Sequence, residues 1–425
     1  MPGDRPANSA KTPFDELEPG SRSAIVAAVS GGSDSLALLV LLNDWLAGDP
    51  VDLLAVTVDH GLRPESAAEA EAVARFCARL GIRHRTMRWT GAKPATGIAE
   101  AARLARYRLL AEAAEMAGTD LVLTGHTADD LAETVAMRAA RGDGAGTAGM
   151  APATLYENRV WFVRPLLGTR RVALQSLLRE RGIDWVSDPT NEDPRFERAR
   201  LRKQITADDH DRLIEQARGA ALRRTELVIA AARLIETAAD MPSPGLIRLD
   251  RGRLNDAPLA EAVHALRLLL ATVGGREYLL DPARTAALLT ALTASRQRRA
   301  IAGTNVEARG ETVFLWREWR GDGPRPVEIN QGNGIFDGRF RLSGPPGTRV
   351  APRGKNTDPV GPVPRDVPPA IARAALACEP LLPTGTRAER ILPPYRLLLP
   401  SFDLRAAGAL ARLFGAAPPA DSPLC

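Results

Sequence analysis

The chain has 425 residues, of which 45% are hydrophobic and 25% charged, the composition of an ordinary soluble protein with two or three domains. Its formal net charge of +5 permits binding to RNA or phosphate without requiring it. The three cysteines are far apart and include no C-x-x-C pair, which argues against a disulfide framework, a zinc ribbon or an iron–sulfur site. No apolar run is long enough to cross a bilayer and residues 1–23 lack a signal-peptide core, so we expect a cytoplasmic protein.

Strand and helix patterns alternate over the first two hundred residues. Apolar runs predict strands at 24–29, 53–58, 82–89 and 121–125, and periodic patterns predict helices at 36–42, 66–80, 98–117 and 128–141. Ser66 is expected to cap its helix, with Glu69 completing a capping box. Repeated β–α units predict an α/β fold with a doubly wound parallel sheet, in which ligands bind beyond the carboxyl ends of the strands.

The pattern changes near residue 208, after a predicted hairpin, a helix and a rigid loop at 156–165, 169–181 and 188–194. Helical patterns at 210–237, 258–273 and 281–295, with strands within 305–316, predict a mainly helical second domain. The stretch 344–369 is rich in Pro and Gly, which is typical of a linker or long loop. The predicted parts are a tail at 1–22, the α/β domain at 23–207, the helical domain at 208–322, a linker or loop at 323–369, and a small C-terminal α+β domain at 370–425.

A hydroxyl-rich turn, S-G-G-S-D-S, joins the first predicted strand to the first predicted helix. Its two glycines let backbone N–H groups approach a phosphate, the helix start adds partial positive charge, and the hydroxyls can donate hydrogen bonds. The turn lacks the Lys of a G-x-x-x-x-G-K-[ST] loop. The simpler alternative is a glycine turn with Asp34 as helix N-cap. The candidate phosphate-binding residues are Ser30, Gly31, Gly32, Ser33, Asp34 and Ser35.

Two further motifs directly follow predicted strands. D-H-G-L-R places His60 and Arg63 after the second strand, where a turn histidine and a surface arginine are the simpler explanation. G-H-T-A-D-D-L-A-E-T places His126 on a loop and puts Asp130 and Glu133 on one helical face. Two carboxylates at a cleft can coordinate Mg²⁺ or pair with a substrate ammonium group, whereas acids in a first turn can simply complement the helix dipole.

Arginines recur where a polyanion could bind. Arg103 and Arg106 share a helical face, and Arg141 opens a glycine-rich segment that reaches Met150. A dense cluster follows the D-P-T-N segment and is suited to phosphodiester contacts. A solvated basic face and a functionless flexible connector are the alternatives. The clustered residues are Arg198, Arg200 and Arg202.

In this order and spacing the motifs resemble the tRNA(Ile)-lysidine synthetase family. S-G-G-x-D-S is similar to the loop of the PP-loop ATP pyrophosphatase superfamily. The resemblance is narrowed to the family by the two strand-end motifs, by R-P-L-L at Arg164–Leu167 and by D-P-[ST]-N at Asp188–Asn191. The resemblance covers residues 23–203, and more loosely extends to about 320. Ala199 stands where the family usually has Asn, and Asp143 lies in a glycine loop one residue shorter than usual.

The resemblance implies a two-step ligation. The C2 oxygen of the wobble cytidine of the minor isoleucine tRNA, whose anticodon is CAU, attacks the α-phosphate of ATP, and the ε-amine of free lysine then displaces AMP. The resulting lysidine pairs with A, so the tRNA reads AUA rather than AUG. The oligomeric state stays open, with a homodimer as one option.

The resemblance also implies roles for particular residues. The loop from Ser30 to Ser35 would hold ATP, and Asp34 would place Mg²⁺. Asp130 and Glu133 would receive lysine. The remaining matches lie near the cytidine or contact tRNA phosphates: His126, Arg106 and either Arg198 or Arg200 at the reacting centre, and His60, Arg63, Arg103, Arg141 and Arg202 as phosphate contacts.

Three alternatives remain open. A tRNA thiolase of the same superfamily needs reactive thiols, and Cys77 lies inside a predicted helix while Cys378 lies far downstream. An amide-forming synthetase would adenylate a small acid and would not need the arginine-rich region. A catalytically dead RNA-binding module would not need Asp34, Asp130 and Glu133, all of which are present.

Overall fold

A computed structural model describes residues 12–18, 20–142, 148–186, 197–294, 297–358 and 363–424. The chain divides into two compact units. The first comprises Met1–Arg224 with Ala420–Cys425, and the second comprises Thr225–Pro419. The division falls inside a long helix rather than at the predicted boundary of 207/208. No helix in the described ranges is both long and apolar enough to span a membrane.

The first unit alternates strands and helices as the sequence predicts. Its strands are β1 (Ala24–Ala28), β2 (Asp52–Asp59), β3 (Arg83–Arg88), β4 (Leu121–Thr124), β5 (Ala153–Tyr156) and β6 (Val160–Val163). Its helices are α1 (Ser33–Trp45), α2 (Ser66–Arg79), α3 (Ile98–Met116), α4 (Ala128–Ala140), α5 (Arg171–Glu180), α6 (Glu197–Gln204) and the first part of α7 (Ala207–Ala238).

The six strands lie in the order β5-β6-β4-β1-β2-β3. All neighbours are parallel except β5 and β6, which form an antiparallel hairpin. Every residue of β1 is buried, as expected for a central strand covered on both faces. The predicted α/β fold with a parallel sheet is therefore confirmed, with β5 running antiparallel to its neighbour β6.

The register of the sheet brings the sequence motifs to one edge. Ala28, the last residue of β1, pairs with Val56 on one side and with Thr124 on the other. The S-G-G-S-D-S turn follows β1, the D-H-G-L-R segment follows β2, and the G-H-x-x-D-D segment follows β4. Parallel strands that end together necessarily present their following loops side by side.

The second unit mixes helices with antiparallel sheets. Its helices are the remainder of α7, then α8 (Arg251–Asp256), α9 (Leu259–Val273), α10 (Pro282–Ala294), α11 (Pro369–Ala377) and α12 (Leu404–Phe414). Its first strands are β7 (Ala239–Ser243), β8 (Leu246–Asp250), β9 (Arg298–Ile301), β10 (Thr304–Arg309) and β11 (Thr312–Arg317), which form a sheet in the order β7-β8-β11-β10-β9.

The stretch predicted as a linker or long loop contains four strands. These are β12 (Val327–Glu328), β13 (Asn333–Phe336), β14 (Phe340–Ser343) and β15 (Arg349–Pro352). They pair with one another and with β16 (Pro380–Leu381) and β17 (Arg387–Arg390), and β18 (Leu398–Pro400) follows. Ile329, Phe336 and Leu342 are fully buried among them. Short strands separated by Pro and Gly turns lack the long alternation of apolar and polar residues that identifies a strand from sequence. The sequence pattern therefore predicts a linker where the structure has strands.

A buried ion network ties these late strands together. We call it the closed network, and it contains Arg317, Asp337, Arg339, Glu379 and Arg390. Arg339 donates from Nε to Asp337 at 2.8 Å and from Nη1 to Glu379 at 2.9 Å, and its side chain is only 4% exposed. The whole set is paired, as buried charges require.

The predicted capping box at Ser66 is wrong. Helix α2 has Glu65 at its N-cap position, and the hydroxyl of Ser66 donates instead to Asp59 at 2.7 Å. The Glu69 carboxylate pairs with Arg63 at 3.0 Å. Ser66 and Glu69 therefore do not form a capping box, because their side chains bind Asp59 and Arg63 at the end of β2 instead.

Candidate active site

The turn after β1 has the geometry of an anion cradle. Gly31 has a φ of +84°, a backbone conformation that glycine adopts without strain. The hydroxyl of Ser35 donates to the carbonyl of Gly32 at 3.0 Å and accepts from the N–H of Ser30 at 3.1 Å, which closes the turn. Helix α1 starts at Ser33, so its free N–H groups and positive dipole end lie in the same turn.

Gly125, at the end of β4, packs directly on this turn. A Cβ at Gly125 would lie 2.8 Å from the carbonyl oxygen of Asp34 and 3.0 Å from the Cα of Ser35. Real Cβ atoms do not approach backbone this closely, so only glycine fits. The close approach brings the third motif against the first.

Two neighbouring cavities open at this edge of the sheet. The valine cavity, about 410 Å³, is bounded by the turn and by the end of β2; its described lining includes Val29, Val56, Val58, His60, Leu62, Arg63, Leu110 and Val186. The arginine cavity, about 520 Å³, is bounded by the turn and the start of α4; its described lining includes Asp34, Arg106, His126, Asp130, Arg171, Trp185, Arg198 and Arg202. Ser30, Gly32, Arg106 and Val186 line both.

The D-H-G-L-R segment forms one wall of the valine cavity. The ring of His60 meets Trp89 edge-on at 5.9 Å, and its Nδ1 is buried with no partner among the described residues. Burial, reinforced by the positive charge of Arg106, lowers the pKa of His60 below its ordinary value of 6.5. His60 is therefore neutral near pH 7, and its ring offers an uncharged hydrogen-bonding group to the valine cavity.

Asp130 and Glu133 meet as the sequence predicts, but they are not free. Asp130 accepts from Arg171 at 3.0 Å and from Arg198 at 2.9 Å. Glu133, with a fully buried side chain, accepts from Arg198 at 2.6 Å and from Arg202 at 2.8 Å. The second Asp130 oxygen accepts from the N–H of Thr127 at 2.8 Å in a capping box, so helix capping explains part of this motif.

The sequence analysis missed Arg171, which joins the acids to the phosphate loop. Its Nε donates to Asp34 at 2.8 Å, and its Nη1 lies 3.6 Å from Glu133. Burial lowers the pKa of Arg171, but the negative charges of Asp130, Asp34 and Glu133 outweigh this effect and raise the pKa overall. The sequence contains one indication that Arg171 has acidic partners. Arg170 and Arg171 stand at the start of α5, where a positive charge is unfavourable next to the positive end of the helix dipole unless carboxylates lie close to it.

The charges of this site nearly cancel. Three carboxylates, Asp34, Asp130 and Glu133, face three guanidinium groups, Arg171, Arg198 and Arg202. Burial raises the pKa of Asp130, but Arg171 and Arg198 outweigh this and lower it overall, so the carboxyl stays ionised. We call this set the open network because it borders a cavity.

Arg106 adds an uncompensated positive charge. It lines both cavities and forms no hydrogen bond or ion pair with any residue in the described ranges. Burial lowers its pKa, and Arg164 and Arg103 oppose its charge further. A guanidinium group in this position is available for an anion, because an anionic ligand would offset both the burial of its charge and the repulsion from Arg164 and Arg103.

His126 lies beside Arg106 in the arginine cavity. Its Nδ1 is 2.9 Å from the hydroxyl of Thr124. Burial, with Arg164 and Arg106 next in effect, lowers the pKa of His126 to about 3. The imidazole is therefore neutral at pH 7 and serves as a neutral hydrogen-bonding group rather than as a cation.

Several predicted residues lie away from the cavities. Arg103 is exposed, with its guanidinium 5.6 Å from the ring of Tyr107. Arg141 pairs with Glu197 and is 62% exposed, and Arg200 is exposed on α6. None of the three lines either cavity. The D-P-T-N segment at 188–191 and the glycine loop around Asp143 lie outside the described residues.

Arg164 of the R-P-L-L segment is buried, and its hydrogen bonds join neighbouring parts of the fold. It is 6% exposed and donates to the carbonyl of Ala151 at 2.8 Å, to the hydroxyl of Thr154 at 3.0 Å and to Tyr107 at 3.1 Å. These bonds fasten the hairpin of β5 and β6 to α3. Arg164 thereby holds the helix that presents Arg106.

The described residues contain no cluster of three or more His, Cys, Asp or Glu side chains that could hold a metal by themselves. Asp34 is nevertheless placed to contribute one carboxylate beside a phosphate cradle, with its Oδ1 accepting from Ser33 at 2.9 Å. Mg²⁺ is commonly bound by one or two carboxylates together with substrate phosphates. The residues present therefore fit a metal that arrives with a nucleotide.

Comparison with known proteins shows which family the chain belongs to. A family model described as the PP-loop domain matches residues 6–208. The tRNA(Ile)-lysidine synthase of Mesorhizobium japonicum is 47% identical over 94% of this chain and 94% of its own length. The tRNA(Ile)-lysidine synthase of Rhizobium meliloti is 38% identical over 92% and 91%, and that of Brucella canis is 37% identical over 94% and 96%.

A solved structure, the U34-tRNA thiolase NcsA from Methanococcus maripaludis, covers 49% of this chain and 75% of its own at 19% identity, with a TM-score of 0.42. That similarity is too low to support a conclusion about activity. The curated relatives match nearly the full chain at well above 30% identity. The chain therefore belongs to the tRNA(Ile)-lysidine synthase family, an ATP-using ligase family with a PP-loop domain.

Proposed function

We propose that this protein joins free lysine to C2 of the wobble cytidine of a CAU-anticodon tRNA(Ile), through an adenylated cytidine and with release of pyrophosphate and then AMP. The observation that carries the proposal is the arginine cavity, in which one edge of the sheet gathers a phosphate cradle, the carboxylates of Asp34 and Asp130, and the guanidinium group of Arg106, which has no partner among the described residues. Each of these groups matches one requirement of that reaction.

The nucleotide lies across the two cavities in this proposal. The adenosine occupies the valine cavity, whose walls combine apolar side chains with hydrogen-bonding ones, and the triphosphate follows the turn from Ser30 to Ser35 into the arginine cavity. Arg106, at the junction, contacts phosphate. Asp34 holds Mg²⁺, which offsets phosphate charge when bound. Arg171 then gives up its bond to Asp34 and remains on Asp130 and Glu133.

The reacting cytidine and lysine meet in the arginine cavity. Neutral His126 donates or accepts a hydrogen bond at the base without adding charge, and Arg106 stabilises the negative charge that develops at the α-phosphate. The lysine ammonium replaces a guanidinium group of Arg198 or Arg202 at Asp130 and Glu133, because both arginines are partly exposed while Glu133 is not. Of the two candidates Arg198 and Arg200, we assign Arg198 to the reacting centre, because it lines the cavity and Arg200 does not.

Phosphates of the tRNA are contacted outside the cavities by the exposed Arg103, Arg141 and Arg200, and also by the half-buried Arg63 and Arg202, which line the valine and the arginine cavity. The second unit supplies further RNA contacts. A cytoplasmic location is part of this proposal, because the tRNA substrate is there. A homodimer is compatible with the proposal but not required by it.

A thiolase is disfavoured by the two described cysteines. Cys77 and Cys378 are both buried, and burial raises the pKa of each thiol to about 11. A sulfur-transfer mechanism needs an accessible thiolate near pH 7. Neither cysteine lines the valine or the arginine cavity.

The test is incorporation of labelled lysine by the purified full chain. We expect label in RNA only when ATP and a transcript of tRNA(Ile) with a CAU anticodon are both present, with one AMP formed for each lysine. A methionine tRNA transcript serves as the control and is expected to remain unlabelled. Lysine-dependent AMP formation without RNA would support an amide-forming synthetase instead and contradict the proposal.

A further inference from the structure

We propose that Trp185 is the stacking surface for the substrate pyrimidine in the arginine cavity. The inference rests on the proposed function, since it assumes that a nucleobase enters this cavity. Among the described lining residues, Trp185 has the only indole, phenol or phenyl ring. A base that is taken out of its RNA stack needs a new stacking partner, and aromatic side chains supply it in single-stranded RNA recognition.

The position of Trp185 is fixed from both sides. On its N-terminal side, α5 ends in a Schellman motif: Gly182 has a φ of +64°, its N–H donates to Arg179 at 3.0 Å, and the N–H of Ile183 donates to Leu178 at 2.9 Å. On its C-terminal side, the N–H of Val186 donates to the carbonyl of Gly31 at 3.0 Å. The backbone next to Trp185 is thus bonded directly to the phosphate turn.

The ring itself is held in place by a cation. The guanidinium of Arg179 lies 5.3 Å from the ring centroid, within the range of a cation–π contact. Trp185 is half-buried, whereas Arg179 is exposed. A ring held in this way loses little rotational freedom when a base stacks on it, which favours binding.

The rest of the cavity explains why the ligand at Trp185 is the RNA pyrimidine rather than the adenine of ATP. Trp185 lines the arginine cavity but not the valine cavity, where the adenosine is proposed to lie. Apart from Val186, the other large side chains around the arginine cavity are charged or polar: Asp34, Arg106, His126, Asp130, Arg171, Gln175, Arg198 and Arg202. They can form hydrogen bonds with the edge of a base and with its phosphate, whereas the indole of Trp185 supplies a large apolar face.

The test measures RNA binding by the full chain and does not depend on turnover. Two anticodon stem-loop RNAs are compared, one with cytidine at the wobble position and one abasic there, against the wild type, Trp185→Leu and Trp185→Phe. Since stacking on an aromatic ring is worth about 5- to 150-fold in affinity per base, we expect Trp185→Leu to weaken binding of the cytidine RNA by at least about fivefold and to leave binding of the abasic RNA unchanged. Trp185→Phe, which keeps a ring, should recover most of the loss.

Trp89→Leu is the matched control. Trp89 is also half-buried with a cation on its ring, since Nζ of Lys93 lies 4.0 Å from the ring centroid, but it does not line the arginine cavity. Its replacement should leave both RNA affinities unchanged. ATP binding by Trp185→Leu, measured by calorimetry without RNA, should equal that of the wild type.

Equal weakening of both RNAs by Trp185→Leu, or no weakening, would overturn the proposal. A loss of ATP affinity would place the adenine at Trp185 and also overturn it. Failure of lysine incorporation by the wild type would instead refute the proposed function, so the two failures are separable.

Discussion

The open network of the first unit and the closed network of the second unit use the same side chains in different ways. Both pair arginines with buried carboxylates. In the closed network the central arginine, Arg339, is 4% exposed and both of its acids are under 10% exposed. In the open network the acids are 0–18% exposed, whereas Arg171, Arg198 and Arg202 are 20%, 43% and 35% exposed.

The difference in exposure separates structural ion pairs from exchangeable ones. A guanidinium group that is already in contact with water loses little when a substrate ammonium group or a metal takes its acceptor. A guanidinium group surrounded by protein has no such alternative, so its loss leaves uncompensated buried charges. We therefore expect the two networks to respond differently to similar substitutions.

The largest effect on stability is expected for Arg339→Met. Removal of this cation leaves Asp337 and Glu379 buried with weaker compensation, which should lower the free energy of unfolding by about 3–5 kcal/mol. Denaturant unfolding measures the change. Arg349→Met, at an exposed position of β15, is the control in the same unit and should cost less than about 0.5 kcal/mol. A small effect of Arg339→Met would mean that the closed network is not structural.

The largest effect on activity is expected for Asp34→Asn. Loss of the carboxylate that is proposed to hold Mg²⁺ should lower ligation by at least about 100-fold, while the melting temperature changes little. Single-turnover formation of the adenylated RNA measures the effect at the first step. Wild-type turnover in this variant would remove Asp34 from the site.

Glu133→Gln should act on lysine rather than on ATP. A charged hydrogen bond is replaced by a neutral one, so KM for lysine should rise about tenfold while KM for ATP stays the same. Steady-state kinetics with each substrate varied in turn give the two constants. An equal rise in both would show that Glu133 supports the whole site instead of receiving lysine.

Arg202→Gln tests whether the open network tolerates the loss of one cation. Glu133 keeps Arg198 at 2.6 Å and Arg171 at 3.6 Å, so we expect a stability loss of only about 1 kcal/mol. The same denaturant experiment used for Arg339→Met gives a direct comparison. A loss as large as that of Arg339→Met would remove the distinction between the networks.

The charge of His126 is expected to be insensitive to pH in the neutral range. Because burial and two arginines lower the pKa of His126 to about 3, this imidazole should stay neutral from pH 8 down to pH 5. The native state then binds fewer protons than the unfolded chain below the ordinary pKa of 6.5, so this group lowers stability as the pH falls from 6.5 towards 3. Histidine NMR shifts would show no midpoint for His126 near 6.5; a midpoint there would contradict the burial.

The sequence by itself determined the features that depend on neighbouring residues. The turn from Ser30 to Ser35, the spacing of Asp130 and Glu133 on α4, and the alternation of strands and helices all arise within short segments, where periodicity and turn chemistry act directly. The family resemblance rested on the same local motifs, and the comparisons with curated relatives confirm it.

Only the tertiary structure decided how distant groups meet. Arg171 reaches Asp34 across 137 positions of sequence, and Trp185 enters the arginine cavity because Val186 bonds to Gly31. The late strands around Phe336 and Leu342 likewise gain their core from partners far along the chain. Ion pairs and packing depend on where the chain returns in space, and no local pattern contains that information.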